Sequence, residues 1–233
     1  MNIVYRISDM GFKKEKPEYI NNENCLVNAI KAFPLEKHKW YVLADSVSEE
    51  TKEMIEKYVP KNFIEHVSIK RGPGFPFVYI LDKLLKTLGD DEIVYFVEND
   101  YLHKPNSDVI LEEGIIIGAA YVTLYDHPDK YIDASRGGNP FIEGGGEETK
   151  VFLSPSCHWK LTNATTGTFA STIRTLKEDY DIIIKYANNP YWNDFHMFLE
   201  LREKGRALIS CIPGYSTHGE TAWLTPLTDW SKI

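Results

Sequence analysis

Residues 92–105 read EIVYFVENDYLHKP, and this stretch decides the fold. Residues 92–97 are an almost continuous apolar run, the pattern of a strand covered on both faces at the centre of a parallel sheet. Glu98-Asn99-Asp100 follows at once, so two carboxylates flank one residue at the strand's carboxyl end. In open parallel sheets that edge is where ligands bind. A pair of acids so spaced can turn toward one hard cation, usually one shared with phosphate oxygens. A merely solvated acidic strand end has the same pattern.

Working outward, residues 2–7 (NIVYRI) form an apolar run ending at Ser8-Asp9, and residues 40–44 (WYVLA) form another ending at Asp45. Residues 63–69 read as a third strand, and residues 121–125 as the one after EIVYFV. Between them, Leu26, Val27, Ile30 and Phe33 recur at helical spacing and stop at Pro34. Ser46-x-x-Glu49 has the form of a capping box opening a helix to about Tyr58. Val78, Leu81, Leu84, Leu85 and Leu88 mark an amphipathic helix, and residues 109–117 a further one. Strands alternating with helices predict an α/β fold with a mostly parallel, Rossmann-like central sheet flanked by helices. Residues 126–168 are rich in Gly, Pro, Asn and Ser and read as long loops around short strands. Helical patterning returns over 171–187 and 193–205, then a strand at 207–212 and an irregular tail. One domain over residues 1–233 is expected.

The chain has 26 basic against 34 acidic side chains, a formal net charge of −8. With no basic stripe, it is expected to bind no nucleic acid. No transmembrane segment is expected, since the longest apolar run, residues 115–122, is far short of a bilayer span. Nor is a signal peptide, for there is no basic leader with an apolar core. Cys25, Cys157 and Cys211 suggest neither a disulfide framework nor a zinc site, and point to a reducing, cytoplasmic setting.

Several motifs occur in an order that resembles one known group. VYFVENDYLHKP is similar to the strand carrying the DxD motif of GT-A-fold glycosyltransferases of the family 2-like kind, with Glu98 where the first Asp usually stands. Gly167 in TNATTGTF resembles the glycine of the loop before the acceptor helix. Asp194 in YWNDF resembles the Asp of the xED motif, although Asn193 stands where that motif often has Glu. His218 in YSTHGE resembles the C-terminal His that completes the metal shell. The resemblance implies transfer of a sugar from a nucleotide-diphosphate sugar to a glycan or other hydroxyl acceptor. It further implies that Glu98, Asp100 and His218 hold Mn2+ or Mg2+.

The residue types agree with those roles. A carboxylate at a helix start in the acceptor half suits a general base, so Asp194 is the catalytic candidate, and an N-cap role fits the same position. Inversion is the expected stereochemistry. Arg6, Asp9, Asp45, Arg71, Gly72 and Asn99, within the nucleotide-sugar-binding half of residues 1–125, and Gly167 from the acceptor-binding half of 126–233 are the donor-binding candidates. Asp45 equally suits a turn or cap, and Gly72 an ordinary turn. Trp159, Tyr191 and Trp192 are candidate acceptor-stacking residues within 126–233, with core packing as the plain alternative. Asp126, His127 and Asp129 read either as solvated loop or as acceptor wall, and Cys157 and His158 as structural. A nucleotide-diphosphate hydrolase and a catalytically silent sugar-nucleotide or glycan-binding module are the competing readings. No Gly-x-Gly-x-x-Gly or P-loop is present to favour a dinucleotide or NTP enzyme.

Overall fold

The computed structural model describes residues 1–10, 14–69, 72, 74–188 and 192–233. Its strands are β1 (Asn2–Ile7), β2 (Lys39–Asp45), β3 (Ile64–Val67), β4 (Ile93–Glu98), β5 (Tyr101–His103), β6 (Tyr121–Thr123), β7 (Val151–Leu153), β8 (His158–Leu161), β9 (Phe169–Thr172), β10 (Leu208–Ile212) and β11 (Ser216–His218). The helices are α1 (Asn22–Ala32), α2 (Glu49–Tyr58), α3 (Gly74–Thr87), α4 (Ser107–Ile116), α5 (Ile173–Glu178), α6 (Tyr180–Ala187) and α7 (Asp194–Glu203).

One sheet takes the order β3-β2-β1-β4-β9-β6-β10-β8-β7, and β5 pairs with β11 in a small ribbon beside it. Successive pairings leave β8 and β9 as the reversed strands, so the sheet is mostly parallel. The alternation of side chains along each strand separates two cores. Ile3, Tyr5, Ile7, Tyr95 and Val97 face α1, α2 and α4. Val4, Val94 and Phe96 face α3, α5, α6 and α7. Apolar cover on both sides is why residues 93–97 have no polar alternation.

Three details differ from the sequence pattern. The cap of α2 is Ser48, whose Oγ accepts from the Thr51 amide at 3.2 Å, while Ser46 sits at φ +55°. The helical stretch of residues 171–187 begins as strand β9 and breaks at Asp179. That buried carboxylate accepts from Tyr121 Oη at 2.9 Å, Lys204 Nζ at 2.7 Å and Arg206 Nε at 3.0 Å. A buried charge with three donors outweighs helical continuity. The tail is not irregular throughout, because residues 216–218 form β11.

Trp159 is a core residue with no exposed surface, which corrects its expected place at the acceptor. Its indole N–H donates to Ser154 Oγ at 3.0 Å. Gly114 of α4 lets it pack there: a Cβ at 114 would come within 2.9 Å of the Trp159 ring and 2.7 Å of Val122. Trp159→Ala is expected to cost about 3–5 kcal/mol, as large-to-small changes in cores do. Urea denaturation measures that loss, and a change below about 1 kcal/mol would contradict this placement.

Candidate active site

Three strand ends meet at the carboxyl edge of the sheet. Arg6 of β1 pairs in register with Glu98 of β4 and lies beside Leu43 of β2. Its guanidinium donates from Nη1 to Glu98 Oε2 at 2.8 Å and from Nη2 to Asp45 Oδ2 at 3.0 Å. Asp45 is buried, and its other oxygen accepts from the Ile69 amide at 3.0 Å and the Ser46 hydroxyl at 3.0 Å. Burial pushes the Glu98 carboxyl upward; Arg6 pulls it back, but Asp100 and Asp45 add to the upward push, leaving it above the usual glutamate value. Arg6 is thus the shared counter-ion of two acids from two different strands.

Asp100 heads the neighbouring cluster. Its Oδ2 lies 3.3 Å from His218 Nε2 of β11 and accepts from Lys16 Nζ at 2.8 Å. Burial raises the carboxyl, but the hydrogen bond and charge of His218 together with the Lys16 ammonium outweigh it and hold Asp100 well below the usual aspartate value. The expected trio of Glu98, Asp100 and His218 does not assemble, because Glu98 is turned to Arg6. Among the described residues no group of three or more His, Cys, Asp or Glu is placed to hold a metal. Asp100 and His218 remain as a carboxylate–imidazole pair, a donor set that suits Mn2+. A resident positive charge already sits on that carboxylate, so the position is one that takes a cation.

Asp194 is the first residue of α7, and the cap is its neighbour Asn193, whose side chain accepts from the His196 amide. That separates the two roles the sequence left open at this position. Asp194 Oδ2 accepts from the Thr165 amide at 3.0 Å, the Thr165 hydroxyl at 3.0 Å and the Gly167 amide at 3.3 Å. Among the described residues its Oδ1 accepts no hydrogen bond. Gly167 adopts φ +79°, a conformation that costs other residues about 1–2 kcal/mol. A Cβ there would lie 3.4 Å from Trp192 and 3.9 Å from Glu98 Cγ. So the loop holding Asp194 leans directly on the Arg6–Glu98 pair.

Tyr101 joins the two clusters, and nothing in the sequence singled it out. Its hydroxyl is shared between the carbonyls of Thr165 and Thr166, at 3.1 and 3.2 Å. Its ring packs against His218, with centroids 5.4 Å apart. One residue beyond Asp100 therefore fixes both the imidazole and the loop that orients Asp194. An apolar run with one hydroxyl gives no sign of this.

The other candidates fall into place unevenly. Trp192 stacks on Phe77 at 4.3 Å and lines a narrow cleft with Arg6, Phe96, Glu98 and Gly167. Its indole nitrogen is buried without a hydrogen-bond partner among the described residues. Asp9 is spent on structure: it accepts from the Ser48 amide at 2.7 Å, Thr51 Oγ1 at 3.0 Å and Asn22 Nδ2 at 3.2 Å, fixing the start of α2. Asn99 donates to Asn22 Oδ1 at 2.6 Å and so ties the β4 turn to α1. Gly72 adopts φ +96°, whereas Arg71 and Tyr191 lie outside the described residues. Asp126 and Asp129 are not solvated loop. Asp126 pairs with the buried Lys160 at 3.0 Å and Asp129 with the buried Lys130 at 3.1 Å, and His127 Nδ1 lies 3.0 Å from Asp129.

This architecture is the GT-A-like fold of glycosyltransferases. Over 96% of its length the chain superposes on a crystal structure of GalNAc-T7 with UDP, GalNAc and Mn2+, with a TM-score of 0.62 and 15% identity. The chain spans 44% of that protein, less than half its length. A second similar structure is galactosyltransferase LgtC in complex with donor and acceptor sugar analogs, with a TM-score of 0.46, 11% identity, and 86% of this chain and 69% of that one covered. No family model matches the sequence, and no curated protein does.

Removing the shared counter-ion tests the first cluster. Arg6→Met leaves Glu98 and Asp45 facing each other unpaired, and is expected to cost about 3–5 kcal/mol at neutral pH. Glu98 already lies above its unfolded value, so its protonated form is favoured in the fold, and losing Arg6 raises it further. The deficit against the wild type must therefore shrink as pH falls through the glutamate range. Urea melts at pH 7 and near pH 4.5 measure this, and a deficit that widens on acidification would contradict it.

Proposed function

We propose that the chain transfers a glycosyl group from a nucleotide-diphosphate sugar to a hydroxyl of a glycan or similar acceptor, with inversion. The observation that carries this reading is the state of Asp194: one oxygen is fixed by three donors, and the other accepts no hydrogen bond among the described residues. It stands at the same sheet edge as the Asp100–His218 pair. The fold shared with GalNAc-T7, whose structure contains UDP, GalNAc and Mn2+, supports the donor class.

In this reading Asp194 Oδ1 accepts the proton of the acceptor hydroxyl as that oxygen bonds to the anomeric carbon. The bond from the anomeric carbon to the diphosphate oxygen breaks, and its electron pair leaves with the diphosphate. Attack comes from the face opposite the leaving group, so an α-linked donor gives a β-linked product. Asp100 and His218 would hold Mn2+ or Mg2+, which when bound offsets the negative charge gathering on the departing diphosphate. Arg6 orients the carboxylates of Glu98 and Asp45 beside the cleft. Residues 1–125 serve mainly the donor and 126–233 the acceptor within one domain. A cytoplasmic setting with no nucleic-acid partner and no transmembrane segment belongs to the same proposal. It is supported by three free, buried cysteines and the net charge of −8. Among the described residues no helix is long and apolar enough to cross a membrane.

The alternative of a silent binding module draws on one observation: Asp45, Glu98 and Asp100 are each already paired with a cationic side chain of the same protein. A panel of sugar nucleotides separates the two readings. The enzyme releases free nucleotide diphosphate slowly without acceptor, whereas the module gains thermal stability without turnover. With the donor so identified, Asp194→Asn is expected to bind it as the wild type does and to lose transfer by about 10²- to 10⁴-fold. Near-wild-type transfer, or a product whose NMR shows retained anomeric configuration, would sink this mechanism.

A further inference from the structure

Residues 14–16 reach over the edge of the sheet and are fastened to residues 218–221. The Glu15 carbonyl accepts from the amide of Thr221 at 2.9 Å and from its hydroxyl at 3.1 Å. Lys14 Nζ lies 2.9 Å from Glu220 Oε2, and that same oxygen is 4.0 Å from His218 Nδ1. Held in this way, Lys16 delivers its ammonium to Asp100 Oδ2, the atom that also faces His218 Nε2. Two cations cannot share that carboxylate oxygen at contact distance without strong mutual repulsion. The Lys16 side chain keeps 30% of its surface exposed, so it has solvent to move into at modest cost.

We propose that Lys16 is the built-in occupant of the cation position, so that a divalent ion binds at Asp100 and His218 only in exchange for the Lys16 ammonium. This rests on the proposed function for the identity of the ion, and adds a residue that sets the ion's affinity. Without the ion, Lys16 offsets the Asp100 charge. With the ion bound, Lys16 is released at the mouth of the donor site as a free positive charge.

The test uses Mn2+ alone, so it needs no knowledge of the donor. Calorimetric titration of the full chain should show Lys16→Met binding Mn2+ about two- to fivefold more tightly than the wild type, the range expected from removing a partly exposed ion-pair competitor. Lys16→Arg keeps the charge and should bind within about twofold of the wild type. Lys14→Met removes an equal charge that sits on Glu220 and not on Asp100, so it should gain less than Lys16→Met. The double variant Lys16→Met/Asp100→Ala should lose the gain. Equal or weaker Mn2+ binding by Lys16→Met, an equal gain by Lys14→Met, or a gain that survives Asp100→Ala would each overturn the exchange. Circular dichroism of each variant confirms that the fold is intact. A protein that shows the exchange but hydrolyses no sugar nucleotide loses the proposed function and keeps this inference; the reverse result does the opposite.

Discussion

A buried guanidinium between two carboxylates governs the ligand edge of this protein. Arg6 stands on β1, between β2 and β4, and its two terminal nitrogens reach one acid from each neighbour. Asp45 is buried and Glu98 is largely so, and a carboxylate with little water around it needs a partner for its charge. The fork of Arg6 satisfies both in one plane, which lysine, a point charge, does not do. Once Glu98 is drawn toward β1, Asp100 is left to work with groups from elsewhere in the chain. The cation corner is then built from His218 and Lys16, and the metal motif at the end of β4 is divided between two tasks.

The division is not visible in the order of residues. Glu98-Asn99-Asp100 suggests two acids turned to one ion, because the spacing allows it. Only the strand register, with Arg6 level with Glu98, shows that the first acid has a closer partner. What the sequence did reveal follows from repetition. Apolar runs for strands and helical spacing between them place the sheet correctly, and the acids at the strand ends fall along its carboxyl edge. That Asp194 and Gly167 meet, through the Gly167 amide, was not legible in the motifs, which only set the two in order along the chain.

The readings that failed share a cause. Trp159 carries the same aromatic signal as Trp192, yet the glycine at position 114 opens a place for it inside the core. Asp9 and Asp45 both follow strands, but one spends its oxygens on the start of α2 and the other on Arg6. Tyr101 and Lys16 escaped notice because each acts through a partner far away in the chain. The reversed strand β9 adds another hidden element. Because it runs against β4, the residues before it, and not those after it, lie at the ligand edge, which is how Thr165 and Gly167 come to Asp194.

The tie between residues 14–16 and 218–221 also bears on biosynthesis. Thr221 and Glu15 are 206 positions apart. Pairing among β1, β2, β3 and β4 becomes possible as soon as residue 98 has left the ribosome, since domains begin to form during synthesis. His218 and Thr221 do not exist at that stage. Arg6, Asp45 and Glu98 are thus all synthesised more than a hundred residues ahead of His218 and Thr221. For that interval Asp100 has neither its imidazole neighbour nor the anchor that positions Lys16, and five of the nine strands of the sheet are likewise still to come.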